Sequence, residues 1–226
     1  IAPFALTEYA EVVGWSDTIR EVIEDRRMPP WHADPGHGEF SNDRSMPDED
    51  KQTLFAWIEN GMPKGDDSDL PATQDYVEGW SLPAKPDLVV DMSETAFSVP
   101  AEGTVDYQYF VADPGFTEDK WVTAAEVIPG NRSVVHHSIV FVRPPDGEDM
   151  RGFGWIAAYV PGQQAAIYPT GMAQRIPAGS KLVFQQHYTT NGSAQQDKTK
   201  LGLVFGKEAD ITHETYTILG IDQGFE

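Results

Sequence analysis

The sequence predicts a mainly β fold: an antiparallel β-sandwich of the jelly-roll kind over residues 87–226, preceded by a small all-α region over residues 1–65. Three observations carry this reading. Beyond residue 80 the chain breaks into short runs rich in β-branched and aromatic residues. Turn signals such as Pro129-Gly130, Pro161-Gly162 and Asn191-Gly192 separate many of those runs. Before residue 63 the apolar residues recur at helical spacing instead.

The helical positions are Tyr9, Val12 and Val13, then Ile19, Val22 and Ile23, then Leu54, Trp57 and Ile58. Thr7 and Ser16 are placed to cap the first two helices. Pro47 with Asp48, Glu49 and Asp50 opens the third, and Gly61 is placed to end it. Residues 28–44, rich in Pro and Gly, fit neither period and are long enough to be a functional loop. A Pro-, Gly- and Asp-rich stretch over residues 66–86 reads as a linker. Strands are expected at 87–92, 107–112, 121–127, 134–142, 181–190, 200–206 and 211–219, a pattern that fits a sandwich or jelly roll.

Composition narrows the function. At 226 residues the chain exceeds the usual single-domain size of ~100–150, so two domains are expected. Sixteen basic against thirty-six acidic residues give a net charge of −20, which argues against nucleic-acid and anionic-lipid partners. The acidic residues are dispersed, as on a solvated surface. No apolar run approaches the ~20 residues of a membrane span. The absence of cysteine excludes disulfides, thiolate metal sites and a cysteine nucleophile. The chain opens on Ile1 with no signal peptide ahead of it, and residues 221–226 follow an apolar run without a polar tail. Both ends therefore read as cut, and the chain is expected to be a fragment of a larger redox protein.

Three of the six histidines fall on expected strands in a way that asks for explanation. His136 and His137 lie within Val134-Val135-His136-His137-Ser138-Ile139-Val140-Phe141-Val142, a run apolar enough to be buried on both faces. Burying two imidazoles without partners costs a few kcal/mol, about 1–3 for each unsatisfied group. On the run 181–190, alternation places Gln185, His187 and Thr189 on one face and Phe184, Gln186 and Tyr188 on the other, so His187 faces the more polar side. A shared metal ion would satisfy all three rings. Neighbours on a regular strand point to opposite faces, so this requires a bulge, a strand end, or binding through different ring nitrogens. Three imidazoles without carboxylate or thiolate suit copper or zinc alike. The alternative is a non-catalytic β-sandwich binding module with a structural zinc or no metal.

At these residues the chain resembles the copper type II, ascorbate-dependent monooxygenases, the family of peptidylglycine α-hydroxylating monooxygenase and dopamine β-hydroxylase. The resemblance lies in the His136-His137 pair after two valines, followed fifty positions later by Gln185-Gln186-His187-Tyr188. It covers roughly residues 87–226. It implies the family's N-terminal catalytic domain, with His136, His137 and His187 as the ligands of the electron-transfer copper. The family's oxygen-binding copper uses a His-x-His pair and a Met from the following domain. No His-x-His occurs here, so a C-terminal copper domain is the expected partner and this chain is expected to bind copper without hydroxylating a substrate. The reaction implied for the intact protein is C–H hydroxylation with O2 and a reductant, on a small-molecule or peptide substrate that the sequence does not name. Without cysteine the disulfides of the animal enzymes are impossible, which points to a bacterial, periplasmic or secreted relative.

The helical region has its own resemblance. Arg26-Arg27-Met28-Pro29-Pro30-Trp31 and the segment around Leu54-Phe55-Ala56-Trp57-Ile58 look like the second half of a small c-type cytochrome found ahead of such copper domains. This implies haem c in the intact protein, although the Cys-x-x-Cys-His attachment motif is absent here. Met28 is then the candidate axial ligand, with Met46 and Met62 as rivals, or simply a methionine packed against Trp31 or Trp57. The electron donor to the copper would be ascorbate or the fused cytochrome. His32 and His37 read as solvated loop residues and His213 as a surface strand residue. Gly152-Phe153-Gly154-Trp155 lacks the context of a dinucleotide fingerprint.

Overall fold

The computed structural model describes residues 6, 8–34, 36–40, 42–70, 72, 79–146 and 154–217. The chain divides into two compact units, residues 1–74 and 75–226.

The first unit carries three α-helices: α1 (Tyr9–Gly14), α2 (Ser16–Glu24) and α3 (Asp48–Glu59). Pro47 precedes α3, whose first turn holds Asp48, Glu49 and Asp50, where carboxylates complement the helix dipole. Gly61 adopts φ +80° just beyond the helix. Its N–H bonds Ile58 O and that of Met62 bonds Trp57 O, the paired arrangement that closes a helix C-terminus. Ser16 departs from expectation: it is the first residue of α2, Trp15 occupies the cap position, and no side chain caps the helix. Trp15 is at once the C-cap of α1 and the N-cap of α2, and its indole, a donor only, cannot accept from the first N–H groups of α2. Thr7 lies outside the described residues. Among the described residues of this unit only Ser16 and Ile23 are buried, and most positions of its apolar stripes are half-buried.

The second unit is mainly β, as expected, and almost wholly antiparallel. Its strands are β1 (Leu88–Asp91), β2 (Phe97–Val99), β3 (Gln108–Ala112), β4 (Lys120–Ile128), β5 (Val135–Arg143), β6 (Gly154–Tyr159), β7 (Ala166–Ile167), β8 (Met172–Ile176), β9 (Lys181–Tyr188), β10 (Gln195–Asp197), β11 (Lys200–Gly206) and β12 (His213–Thr215). One sheet has the order β1-β11-β4-β8-β12, with β7 also on β4. A second has the order β3-β9-β5-β6, and β10 pairs with β2. Among the described residues only β12 with β8 runs parallel. The expected strand over 211–219 reduces to β12, and residues 218 and 219 lie outside the described residues.

Both large sheets feed one buried cluster. Val122, Ala125, Val127, Ile176, Leu201 and Leu203 come from the first, and Val140, Val142, Ile156, Leu182 and Phe184 from the second. On β9 the alternation is strict: Leu182, Phe184, Gln186 and Tyr188 are buried while Lys181, Val183, Gln185 and His187 are half-buried. Strand β5 corrects the expectation of burial on both faces. Ser138, Val140 and Val142 point inward, but His137, Ile139 and Phe141 lie on the half-buried outer side.

Outside the core, Asp119 joins two connections by accepting hydrogen bonds from the Ala178 N–H at 2.9 Å and Arg175 Nη1 at 2.7 Å. Those bonds, the Ala178 N–H foremost, hold its carboxyl below the usual range. The folded chain therefore takes up this proton less readily than the unfolded one. The stability Asp119 contributes is complete above the ordinary carboxylate range and fades as pH falls through the lowered pKa. Asp119→Asn is accordingly expected to flatten the acid limb of a stability-versus-pH curve while leaving its slope above pH ~6 unchanged. Leu203→Ala, at a fully buried position, is expected to lower unfolding free energy by about 2–5 kcal/mol in urea titration.

Candidate metal centre

The ladder between β5 and β9 is regular from Arg143↔Lys181 to His137↔His187, and then slips: the next pair is Val135↔Tyr188. His136 is the extra residue, so His136 and His137 together oppose the single residue His187. This β-bulge resolves the geometric difficulty of adjacent histidines by turning both toward the face on which His187 stands.

The three rings converge. Their centroids are 5.5 Å apart for His136 and His137, and 4.9 Å for each of these with His187. One ligand nitrogen from each lies within 4.8 Å of the others, and the group contains no carboxylate or thiolate. Metal–nitrogen bonds of about 2.0–2.1 Å bring such atoms to about 3.3–3.5 Å apart, a closure within reach of side-chain rotation. The Nδ1 atoms of His136, His137 and His187 are all buried, and none has a hydrogen-bond partner. For His137 the other nitrogen is engaged, Nε2 lying 3.3 Å from Tyr107 Oη. Burial first, and the neighbouring His187 second, hold the pKa of His136 and of His137 below the ordinary value. Both rings are thus neutral at neutral pH and keep the lone pair a metal needs. Three convergent imidazoles, each with a buried nitrogen that lacks a partner, fit a copper or zinc ion.

Tyr107, which sequence reading missed, covers the group. Its ring stacks on His187 at 4.8 Å and 21°, and lies 5.7 Å from His137. No local signal marks it; only the pairing of β3 with β9 brings it there. The outer face of the same sheet continues in rows set by register: Tyr109, Gln185, Ile139 and Ala158, then Val111, Val183, Phe141 and Trp155. None is charged. Tyr109 and Val111 are each 59% exposed and Trp155 is 52% exposed. The histidines therefore stand at the sheet surface beside an uncharged patch, with His187 on the half-buried outer face of β9.

In the helical unit Met28 is half exposed and lines a cavity of about 80 Å³ together with Ile23, Trp31 and Met46. A neighbouring cavity of about 550 Å³ is lined by Arg26, Trp31, Phe40 and Lys51, among others. Met28 and Met46 thus share one hollow, whereas Met62 is not among its lining residues. His32 and His37 are exposed in the loop, and His213 is exposed on β12. Among the described residues no helix is long and apolar enough to cross a membrane.

No protein-family model matches this chain, and no curated protein matches it.

An unsatisfied buried nitrogen costs about 1–3 kcal/mol, a cost that vanishes when an apolar ring replaces it. Without metal, His187→Phe is expected to melt no lower than the unsubstituted chain. Added Cu(II) or Zn(II) should raise the melting temperature of the unsubstituted chain only. A core histidine kept for its hydrogen bonds would give the reverse order.

Proposed function

We propose that residues 87–217 form a jelly-roll domain of the copper type II, ascorbate-dependent monooxygenase kind and hold its electron-transfer copper. One observation carries the reading: three imidazoles, each with a buried Nδ1 that lacks a partner, bring one ring nitrogen apiece within 4.8 Å of the others at a single bulge. Copper bound there would supply a one-electron Cu(I)/Cu(II) couple, which an all-imidazole ligand set tolerates in both states. His136, His137 and His187 would hold the ion through one ring nitrogen each. Tyr107, against Nε2 of His137 and over the ring of His187, orients two of the rings and shields them from water.

On this reading the hydroxylation of a small-molecule or peptide C–H bond belongs to a second copper on a further domain, for which the uncharged face of Tyr109, Val111 and Trp155 is the natural docking surface. Ascorbate or a cytochrome would supply the electrons, and the protein would work in the periplasm or outside the cell. The c-type cytochrome likeness of the helical unit is supported by its thin core and by the hollow beside Met28. The chain has no cysteine, however, so none of its own residues can carry the thioether bonds of haem c, and candidate axial methionines alone do not make a haem site.

Copper loading followed by paramagnetic resonance tests the proposal. One Cu(II) per chain with a type II spectrum and nitrogen hyperfine structure is expected, abolished in His136→Ala and in His187→Ala. With reductant and oxygen the loaded chain should change oxidation state without hydroxylating peptide or small-molecule substrates. A chain that takes up zinc in preference to copper would favour a structural metal in a binding module.

A further inference from the structure

Beneath the bulge, on the buried side of β5 and β9, lies a second small cluster of Val99, Val134, Val135 and Tyr188. A carboxylate is set beside it. Asp197, the last residue of β10, is 1% exposed. It has no ion-pair partner among the described residues and instead accepts three hydrogen bonds. Oδ1 takes one from the Asn131 backbone N–H at 2.9 Å. Oδ2 takes two, from Tyr188 Oη at 3.0 Å and Thr199 Oγ1 at 2.8 Å. A buried carboxylate is costly unless hydrogen bonds satisfy it, and these three do so across separate segments of the chain.

Two of its partners belong to the segments that carry the imidazoles. Tyr188 follows His187 on β9. Asn131 opens the turn into β5: its carbonyl accepts from the N–H groups of Val134 and Val135, its Oδ1 accepts from the N–H of Ser133 at 3.0 Å, and its Nδ2 donates to Gln195 Oε1 at 3.0 Å. The residue before it, Gly130, is pressed onto the other side of the clamp, where a Cβ would stand 2.6 Å from the backbone nitrogen of Lys198. The turn is therefore held by a hydrogen bond at one residue and by backbone contact at the next.

We propose that Asp197 is a positioning residue for the three-imidazole site: through Asn131 and Tyr188 it holds β5 and β9 in the slipped register that brings His136, His137 and His187 together. The role rests on the reading of those imidazoles as metal ligands. A carboxylate suits the task because three donors arrive at two oxygens, and a carboxylate is acceptor-only at both. An asparagine keeps the bond to Asn131 N–H, and the hydroxyls of Tyr188 and Thr199 can turn to accept from its amide. A leucine offers nothing to any of them.

Cu(II) affinity, measured by chelator competition in the 226-residue chain, and the Cu(II) hyperfine pattern together test this. Asp197→Leu is expected to bind copper about 10–100-fold more weakly, as loss of an outer-shell partner does, with an altered spectrum. Asp197→Asn should stay within a few-fold of the unsubstituted chain. Leu203→Ala, a cavity in the other cluster, should lose thermal stability yet keep affinity and spectrum. Should Asp197→Leu not fold, Tyr188→Phe, which deletes one bond of the three, is expected to weaken copper several-fold. Unchanged affinity and spectrum in the folded variant, or an equal loss in Leu203→Ala, would overturn the positioning role alone. No copper uptake by the unsubstituted chain would overturn the metal reading and this role with it.

Discussion

On an antiparallel strand successive side chains alternate between faces, and only a bulge lets two neighbours share one. The bulge at His136 and His137 against His187 is the constraint on which the site depends. It also sets the phase of everything after it. Beyond the slip, Ser138, Val140 and Val142 enter the core, while Ile139 and Phe141 join the outer face. Before it, Val134 and Val135 are both buried. A regular ladder with the same core contacts from Ser138 onward would send His136 inward, among the apolar side chains.

The two faces of the four-stranded sheet therefore serve different ends. The inner face packs on the first sheet, where Gln186 Nε2 donates to Ser138 Oγ at 2.9 Å and Gln186 Oε1 has no partner among the described residues. At the other face three imidazoles each leave a buried Nδ1 without a partner, all at the bulge. Single unmet groups occur elsewhere, but only at the bulge do three of them gather among the described residues, and each such group carries a cost in stability. Burial that keeps His136 and His137 from protonating acts in the same direction.

Much of this could be read from residue order. The alternation of β9, the three helices, and the closing glycine of α3 each follow from a local pattern that the tertiary structure does not override. The participation of all three histidines was legible because imidazoles in an apolar run demand partners. Other features were not. Strands β2, β7 and β10 are two or three residues long, and β10 reads Gln195-Gln196-Asp197, which no strand propensity favours. Strand β6 begins at Gly154 and β8 carries Gln174 and Arg175, so neither stands out as a β-rich run. Among the ways of turning two adjacent rings to one face, the order of residues could not select the bulge. Its trace is a change of parity, from buried Val135 to buried Ser138, that becomes visible only once the inward face is known. Tyr107 and Asp197 reach the histidines through pairings thirty or more residues distant from at least one of their partners, where no window of sequence connects them.

A bulge is an insertion of one residue. Removing His136 would leave a regular pairing from Val135 to Arg143 with every later side chain still opposite its present partner. The site is thus modular in an unusual sense: it is defined by a count on one strand, and the sheet that bears it needs no other change to exist with or without it. The same three-residue arrangement, two on one strand and one opposite, could be written into another antiparallel pair whose outer face is open, provided that an anchor beneath the strands, as at Asn131 and Tyr188 here, fixes where the extra residue is taken up. That makes the arrangement a template for engineering metal sites on sheets, where ligand geometry is ordinarily limited by strict alternation.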